Sequence, residues 1–314
     1  MTRRICVLTA LVLVLSGSSI GAETVQIPGP SGPLEGELLA PDDAAHVVVL
    51  IPGSGPIDRY GNSPQFDSFS QSYRLLATAL FQLDIATLRV DKRGFFGSSA
   101  AIANPNDVTI AAYAKDARAW VVRAQEVAEC VWLAGHSEGA LVSLVAARDL
   151  SDSLCGLILL SAPGRPVGHI LLEQMRSNPF NAQLMPTLEG LVADLNAGSV
   201  RDTATLPVEI RPMFSEGLQR YMIDLFSYDP AEVAKAWNGP VLLVHADRDI
   251  QISDEDVSRL HAVLPQGHRV NLMDGTHMLK VDVPGRPFAT YRDPALPLHP
   301  ALAPAMSAFV KRLH

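Results

Sequence analysis

The sequence contains little charge and no cluster of basic residues. Charged residues occupy 18% of the 314 positions, compared with about 25% in an average soluble protein. Acidic residues outnumber basic ones, and the formal net charge is −8. Nucleic acids and anionic membrane surfaces are bound through clustered lysine and arginine, which this sequence lacks. We therefore expect neither as a partner.

Long hydrophobic runs are also absent beyond the first 22 residues. The sequence begins MTRRICVLTALVLVLSGSSIGAETVQ, in which two arginines come before an apolar stretch from Ile5 to Leu15, followed by small residues up to Ala22. This pattern is typical of a secretory signal peptide, because the apolar part is short for a bilayer span. An uncleaved membrane anchor is the alternative. We predict a signal peptide at residues 1–22 and an exported protein, periplasmic or secreted, without stable membrane insertion.

Cysteine is scarce, with two residues beyond the predicted signal peptide. Cys130 and Cys155 begin the apolar runs CVWLAG and CGLILLSAP, which we expect to be neighbouring strands. In an exported protein the pair can form a disulfide if the Cα atoms are close enough. Two buried thiols are the alternative, and two cysteines this far apart make a poor metal site.

Hydrophobic patterns predict alternating strands and helices. A hairpin of ETVQIPG and LEGELLAP is followed by HVVVLIPG, a continuous apolar run typical of a strand covered on both faces. Strand patterns at IATLRV, CVWLAG and CGLILLSAP alternate with helix patterns at FDSFSQSYRLLATALFQLD, at NDVTIAAYAKDARAWVVRAQE with Asn106 or Asp107 as its cap, and at residues 138–149. This alternation predicts an α/β fold with a mostly parallel sheet.

A helical block interrupts the alternation. Residues 164–228 have helical patterns broken by Asn178-Pro179, Gly198 and Pro207. The alternation then resumes with the strand GPVLLVHADRD, the helix ISDEDVSRLHAVLP, the strand HRVNLMDG and a final helix. Because strands of one sheet flank the block, we predict a helical cap at 164–228 inserted into a core formed by 23–163 and 229–314.

A serine stands between two glycines where a strand pattern changes to a helix pattern. The stretch WLAGHSEGALVSL contains GHSEG at residues 135–139. In a nucleophile elbow of the G-x-S-x-G form, the serine adopts a strained backbone conformation at a strand-to-helix turn, and the glycines let the two elements approach. We interpret Ser137 as a nucleophile, with a purely structural turn serine as the alternative.

A serine nucleophile requires a histidine base and an acid that orients the histidine. After an elbow of this kind, the order along the chain is serine, acid, histidine. The next-to-last strand is followed by Asp247 and Asp249, and the last strand is followed by His277. His245 raises the alternative of a metal site, but no second histidine cluster completes a ligand set, so we expect no metal.

Acyl transfer also requires amide donors for the negative charge that develops on the carbonyl oxygen. One is expected at the backbone N–H of Glu138, directly after the candidate nucleophile. The other is expected in the loop PGSGP after HVVVLI, and we assign it to Ser54, with Gly55 as the alternative. A phosphate-binding loop is the other interpretation, but the Lys-Ser/Thr ending of a nucleotide-binding loop is missing.

Five stretches extend this pattern over the whole mature chain: PGSGPIDRYGN, DKRGFFGSS, AGHSEGAL, DRDIQIS and DGTHMLK. Together they resemble the bacterial esterase-like group of the α/β-hydrolase fold superfamily. The resemblance implies that Asp249 is the acid, with Asp247 solvated or capping a turn. It also implies loop-stabilising roles for five charged residues: Asp58, Arg59, Asp91, Lys92 and Arg93.

The resemblance implies a mostly parallel α/β-hydrolase sheet with helices on both faces and an inserted helical cap. It further implies a serine hydrolase that cleaves a small-molecule acyl ester through Ser137, His277 and Asp249, by way of an acyl-enzyme and without a cofactor. A serine peptidase or acyltransferase on the same fold is the alternative, and a non-catalytic binding protein is a third. The oligomeric state, the acyl chain and the alcohol are not specified by the sequence.

Overall fold

The computed structural model describes residues 21–150 and 153–312. The signal peptide predicted at 1–22 lies outside these residues, apart from its last two positions. Within the two described ranges, no helix has the length and apolar character needed to cross a membrane.

In the described ranges, eight strands form one sheet and two short strands form a separate ribbon. The strands are β1 (Glu23–Ile27), β2 (Leu34–Leu39), β3 (His46–Ile51), β4 (Asn62–Ser63), β5 (Ser68–Phe69), β6 (Ile85–Val90), β7 (Cys130–His136), β8 (Gly156–Leu160), β9 (Val241–Ala246) and β10 (Gly267–Leu272). The sheet order is β1-β2-β6-β3-β7-β8-β9-β10, with β4 and β5 in the ribbon. The pairs β1–β2 and β2–β6 are antiparallel, and the other pairs in the sheet are parallel. The predictions of an N-terminal hairpin and a mostly parallel sheet are confirmed.

Helices cover both faces of the sheet, as predicted. They are α1 (Ser72–Phe81), α2 (Ile110–Ala124), α3 (Glu138–Ala147), α4 (Val167–Ser177), α5 (Met185–Asn196), α6 (Glu216–Phe226), α7 (Pro230–Ala234), α8 (Asp254–Val263), α9 (Ala289–Arg292) and α10 (Leu302–Arg312). Successive side chains of a strand point to opposite faces, so a strand covered twice is apolar throughout. On β7, Val131 and Leu133 pack in the core cluster that includes α2 and α3. Trp132 faces the other side, where its ring meets that of Phe309 on α10.

Cys130 and Cys155 lie on neighbouring strands of the sheet. Cys130 is the first residue of β7, and Cys155 immediately precedes β8, which pairs with β7 in parallel. The Cα atoms are 5.6 Å apart, and the two residues form a disulfide. The expectation that these apolar runs are adjacent strands is confirmed, and of the two alternatives for the cysteines the structure contains the disulfide.

Two helices begin later than their sequence patterns predict. The first helix pattern starts at Phe66, but α1 starts at Ser72, because the residues between form a 3-10 turn and the second strand of the ribbon. Helix α2 is not capped by Asn106 or Asp107, which lie in a separate 3-10 turn. Its cap is Thr109, whose side chain accepts a hydrogen bond from the N–H of Ala112.

The chain between β8 and β9 is helical and includes α4, α5, α6 and α7. Apolar side chains of α5 and α6, such as Leu188, Leu191 and Leu225, belong to the same buried cluster as those of α2 and α3. The two flanking strands are neighbours in the sheet. The division into a core and a cap at 164–228 stays a prediction.

Candidate active site

Ser137 lies in the turn between β7 and α3, at the carboxyl edge of the parallel strands. Its φ is 54° and its ψ is −125°, a conformation that few non-glycine residues adopt. The flanking glycines permit this turn. A Cβ added to Gly135 would lie 2.1 Å from the carbonyl oxygen of Gly139, and one added to Gly139 would lie 2.3 Å from that of Ile51. Ser137 is partly exposed at the N-terminus of α3, where the helix dipole favours negative charge.

His277 and Asp249 form a buried pair. The distance between His277 Nδ1 and Asp249 Oδ2 is 2.8 Å, and the exposed fractions of the two side chains are 3% and 0%. Because an ionised carboxylate only accepts hydrogen bonds, Nδ1 carries the proton and Nε2 is left as the base. Asp247, the alternative acid, is exposed to solvent and has no part in this pair.

Asp249 is held in its ionised form. Burial by itself raises the pKa of a carboxyl group, but the neighbouring His277 ring and the backbone N–H groups of Ile252 and Gln251 outweigh burial and hold the pKa of Asp249 below its usual value. These two N–H groups donate to Asp249 Oδ1 at 3.0 and 2.8 Å, respectively. One carboxylate oxygen is thereby fixed by the backbone, and the other is free to orient the imidazole.

His277 contacts His136, the residue that directly precedes Ser137 in the chain. The ring centroids of His136 and His277 are 4.6 Å apart. Within the described residues, His277 forms hydrogen bonds with Asp249 and His136. A hydrogen bond between the Ser137 hydroxyl and the His277 ring is not among them. Such a bond is often long or misaligned in a ligand-free enzyme and shortens when the substrate binds.

His136 is the centre of a buried hydrogen-bond chain. Its Nε2–H donates to the backbone oxygen of His277 at 2.9 Å, so its Nδ1 accepts from the hydroxyl of Tyr73 at 2.8 Å. The same hydroxyl accepts from the N–H of Gly53 at 3.3 Å. Burial, with a smaller contribution from His277, lowers the pKa of His136 to about 3. The imidazole is therefore neutral at physiological pH, as this chain of donors and acceptors requires.

The expected amide donors lie on two segments close to Ser137. Glu138 is the first residue of α3, so its N–H has no partner within the helix. Ser54 is exposed in the loop after β3. This loop approaches the elbow closely, since a Cβ added to Gly53 would lie 3.2 Å from the Cβ of Ser137. The assignment of Ser54 and Glu138 as donors stays a prediction, as does the catalytic assignment of Ser137, His277 and Asp249.

Residues that the sequence patterns did not assign to the site connect these segments. Tyr73 joins the loop after β3 to the elbow through the chain described above. Lys92, expected to stabilise a loop, contacts both the loop after β3 and Glu138. None of these contacts of Tyr73 and Lys92 follows from a local motif, because the partners are more than 15 positions apart in sequence.

His245, which raised the alternative of a metal site, is a buried residue of β9. Burial lowers the pKa of its imidazole. Across residues 21–150 and 153–312, no group of three or more His, Cys, Asp or Glu side chains is placed to hold a metal ion.

The sheet order, the strand-to-helix turn at Ser137 and the acid and histidine after the last two strands define a protein of the α/β-hydrolase fold. Residues 66–282 match a family model described as Hydrolase_4, Serine aminopeptidase, S33. The match covers more than half of the sequence and includes Ser137, Asp249 and His277, so the chain belongs to the Hydrolase_4 family. The resemblance noted from the sequence motifs is confirmed at the level of family and fold.

Known proteins of similar sequence and structure include esterases. The chain is 25% identical over 236 residues to esterase EstD of Thermotoga maritima, a match that covers 74% of this chain and 50% of EstD. The chain thus spans half the length of this curated relative.

Solved structures similar to this chain include three esterases. The Pyrococcus furiosus esterase Pf2001 has a TM-score of 0.58 at 16% identity, over 93% of this chain and 91% of that one. Est1E of Butyrivibrio proteoclasticus with bound ferulic acid has a TM-score of 0.59 at 18% identity, over 92% and 96%. A thermophilic esterase from Thermogutta terrifontis with bound malate has a TM-score of 0.58 at 18% identity, over 93% and 100%. At these identities the likeness shows the fold alone.

Proposed function

We propose that this chain is a serine hydrolase that cleaves carboxylic esters, with Ser137 as nucleophile, His277 as base and Asp249 as the orienting acid. The observation that carries the proposal is the buried 2.8 Å contact between His277 Nδ1 and Asp249 Oδ2, together with the ring contact between His277 and His136, which directly precedes the strained turn at Ser137. Membership of a hydrolase family and similarity to a protein named as an esterase support the same reaction class.

The proposed reaction has two stages. His277 Nε2 removes the proton of the Ser137 hydroxyl as its oxygen attacks the ester carbonyl, and the resulting oxyanion accepts hydrogen bonds from the N–H groups of Ser54 and Glu138. The tetrahedral adduct collapses, His277 returns the proton to the departing alcohol, and an acyl-enzyme remains on Ser137. Water activated by His277 then releases the acid. Asp249 holds the imidazole in the tautomer that both stages require.

A serine peptidase is the second candidate, and the family description favours it by naming a serine aminopeptidase. An aminopeptidase must bind the free α-ammonium group of its substrate, for which an acidic side chain is the natural partner. Glu138, the acidic residue adjacent to Ser137, is buried and paired with Lys92 at 3.0 Å. Glu138 is therefore not available to a substrate ammonium group.

We also propose that the protein is exported to the periplasm or the outside of the cell. The disulfide between Cys130 and Cys155 supports export, because disulfides persist in oxidising compartments. The N-terminal sequence pattern supports the same location. Sequencing the N-terminus of protein secreted or released from the periplasm tests this; a mature protein beginning near residue 23 is expected, and a full-length protein retained in the cytoplasm contradicts it.

Turnover of p-nitrophenyl acetate and butyrate tests the proposed reaction. Wild type is expected to release p-nitrophenol and to react covalently with a fluorophosphonate at Ser137, as mass spectrometry of the labelled peptide will show. Ser137→Ala is expected to lose both activities. Equal turnover by wild type and Ser137→Ala, or labelling elsewhere, would rule out Ser137 as the nucleophile.

Aminoacyl p-nitroanilides separate the two candidate functions. A carboxylesterase is expected to hydrolyse the p-nitrophenyl ester of an acyl group without measurable turnover of the p-nitroanilide of the same group. A higher value for an anilide with a free amino group than for its N-acetylated form identifies an aminopeptidase instead.

A further inference from the structure

Lys92 lies just beyond the end of β6 and is almost completely buried. Its ammonium nitrogen is 2.6 Å from the backbone oxygen of Gly53 and 3.0 Å from Glu138 Oε1. The exposed fractions of the Lys92 and Glu138 side chains are 3% and 2%. The ring of Tyr113 lies 5.0 Å from the same nitrogen, on a face that attracts cations. A buried cation with this set of partners occupies one defined position.

The carbonyl that Lys92 contacts belongs to the same peptide unit as the N–H of Ser54. In this planar trans peptide the C=O and N–H point in opposite directions. A hydrogen bond to the oxygen of Gly53 therefore fixes the direction of the Ser54 N–H on the other side. It also polarises the peptide, which strengthens the N–H as a donor, because hydrogen bonds in series reinforce one another.

The second contact of Lys92 reaches the other proposed donor segment. Glu138 is the first residue of α3, and its backbone N–H is the proposed second oxyanion donor. Its buried carboxylate would place a negative charge beside the oxyanion if it were unpaired. The ammonium group of Lys92 compensates this charge and connects α3 to the loop after β3.

We propose that Lys92 is a positioning residue for the oxyanion hole: by holding the backbone oxygen of Gly53 and the carboxylate of Glu138, it orients and strengthens the N–H of Ser54 opposite Ser137. This inference rests on the proposed function, since it assumes that Ser137 forms a tetrahedral adduct. Lys92 does not touch the substrate and transfers no proton.

Two substitutions test this role. Lys92→Met removes the ammonium group and keeps most of the length of the side chain. It also leaves Glu138 buried and unpaired, which costs stability, so the double variant Lys92→Met/Glu138→Gln removes both charges together. Arg93→Met is the matched control, because Arg93 lies at the same end of β6 and its side-chain hydrogen bonds within the described residues go to Asp116 and to the backbone oxygen of Ala112, not to Gly53. Each variant is measured below its Tm, with circular dichroism to establish that it is folded.

A misplaced donor weakens binding of the transition state more than binding of the ester. Both Lys92 variants are expected to lose about 10- to 100-fold in kcat for p-nitrophenyl butyrate, with KM changed less than about threefold. The inhibition constant of an alkyl trifluoromethyl ketone, whose adduct with Ser137 carries an oxyanion, is expected to rise by a similar factor. Arg93→Met is expected to lower Tm and to keep kcat and this inhibition constant within about twofold of wild type.

Three results would overturn the inference. The first is a folded double variant with kcat within about twofold of wild type. The second is a loss of kcat with an unchanged inhibition constant for the trifluoromethyl ketone, and the third is an equal loss of kcat in Arg93→Met. In all three, wild type still turns over the ester and Ser137→Ala does not, so the proposed function survives. A wild-type protein without Ser137-dependent turnover contradicts the proposed function itself, and the inference with it.

Discussion

At the scale of single residues, two aspartates two positions apart have opposite environments. Asp249 is buried and contacts His277, whereas Asp247 is exposed. Asp249→Asn is expected to reduce kcat/KM for p-nitrophenyl butyrate by about 10³- to 10⁴-fold, because an amide no longer selects the Nδ1–H tautomer of His277. Asp247→Asn, the matched control, is expected to stay within about twofold of wild type. Comparable losses in both variants would contradict the assignment of the acid.

A second residue-scale prediction concerns His136, whose pKa falls from 6.5 to about 3 on folding. Below pH 6.5 the unfolded chain binds a proton here that the folded chain does not, so stability decreases as the pH falls. Between pH 6.5 and 5.0, His136 is expected to contribute a loss of about 1.5 kcal/mol in the free energy of unfolding.

Urea unfolding at these two pH values measures the contribution of His136. The decrease in the free energy of unfolding is expected to be smaller by that amount in His136→Gln than in wild type. His261→Gln, at an exposed position, serves as control and is expected to keep the wild-type decrease. An unchanged decrease in His136→Gln would mean that His136 is protonated in the folded protein.

At the scale of elements, the turn at Ser137 requires a glycine at position 135, at the end of β7, whereas α5 does not require the glycine at position 190. A Cβ on Gly135 would lie 2.1 Å from the backbone oxygen of Gly139, which cannot move without moving α3. Gly135→Ala is expected to lower the free energy of unfolding by about 1 to 3 kcal/mol. At Gly190, inside α5, an added Cβ meets only the flexible side chain of Arg201 at 3.4 Å, so Gly190→Ala is expected to stabilise by about 0.5 to 1 kcal/mol.

Thermal and urea unfolding of both glycine variants checks this contrast, with fluorophosphonate labelling as a measure of the turn. A labelling rate in Gly135→Ala equal to that of wild type would show that the turn tolerates a side chain. A lower free energy of unfolding in Gly190→Ala would show that Gly190 does not reduce the stability of α5.

Sequence patterns predicted the elements well where a continuous apolar run marks a strand covered on both faces, and less well at the ends of the helices. The continuous apolar runs of β3 and β7 and the turn at Ser137 could be predicted locally. The start of α1 could not, because Ser70 donates a hydrogen bond to the backbone oxygen of Gly61 and Gln71 adopts a left-handed conformation. Such polar side chains compete with the helix for backbone partners in ways that depend on distant segments.

At the scale of the whole molecule, the candidate site is a product of strand order. Ser137, Asp249 and His277 follow β7, β9 and β10, and parallel strands bring these ends to one edge of the sheet. Chain order alone therefore predicted where to look for each residue. The contacts of Tyr73 and Lys92 with Gly53 required the full structure, because Tyr73 lies on α1 and Lys92 follows β6, 20 and 39 positions away from Gly53 in sequence.

The disulfide between Cys130 and Cys155 stabilises this same arrangement of strands, because it joins the starts of β7 and β8. It closes a chain segment with a sequence separation of 25, and restricting a loop of this length in the unfolded state contributes about 3 to 4 kcal/mol. The variant Cys130→Ala/Cys155→Ala is expected to have a lower free energy of unfolding by about this amount. Since the disulfide lies at the end of β7 opposite Ser137, kcat is expected to remain within about twofold of wild type. Urea unfolding with and without dithiothreitol measures the effect. The reductant is expected to destabilise wild type and to leave the double variant unchanged. An equal response of both proteins would show that the disulfide does not form in solution.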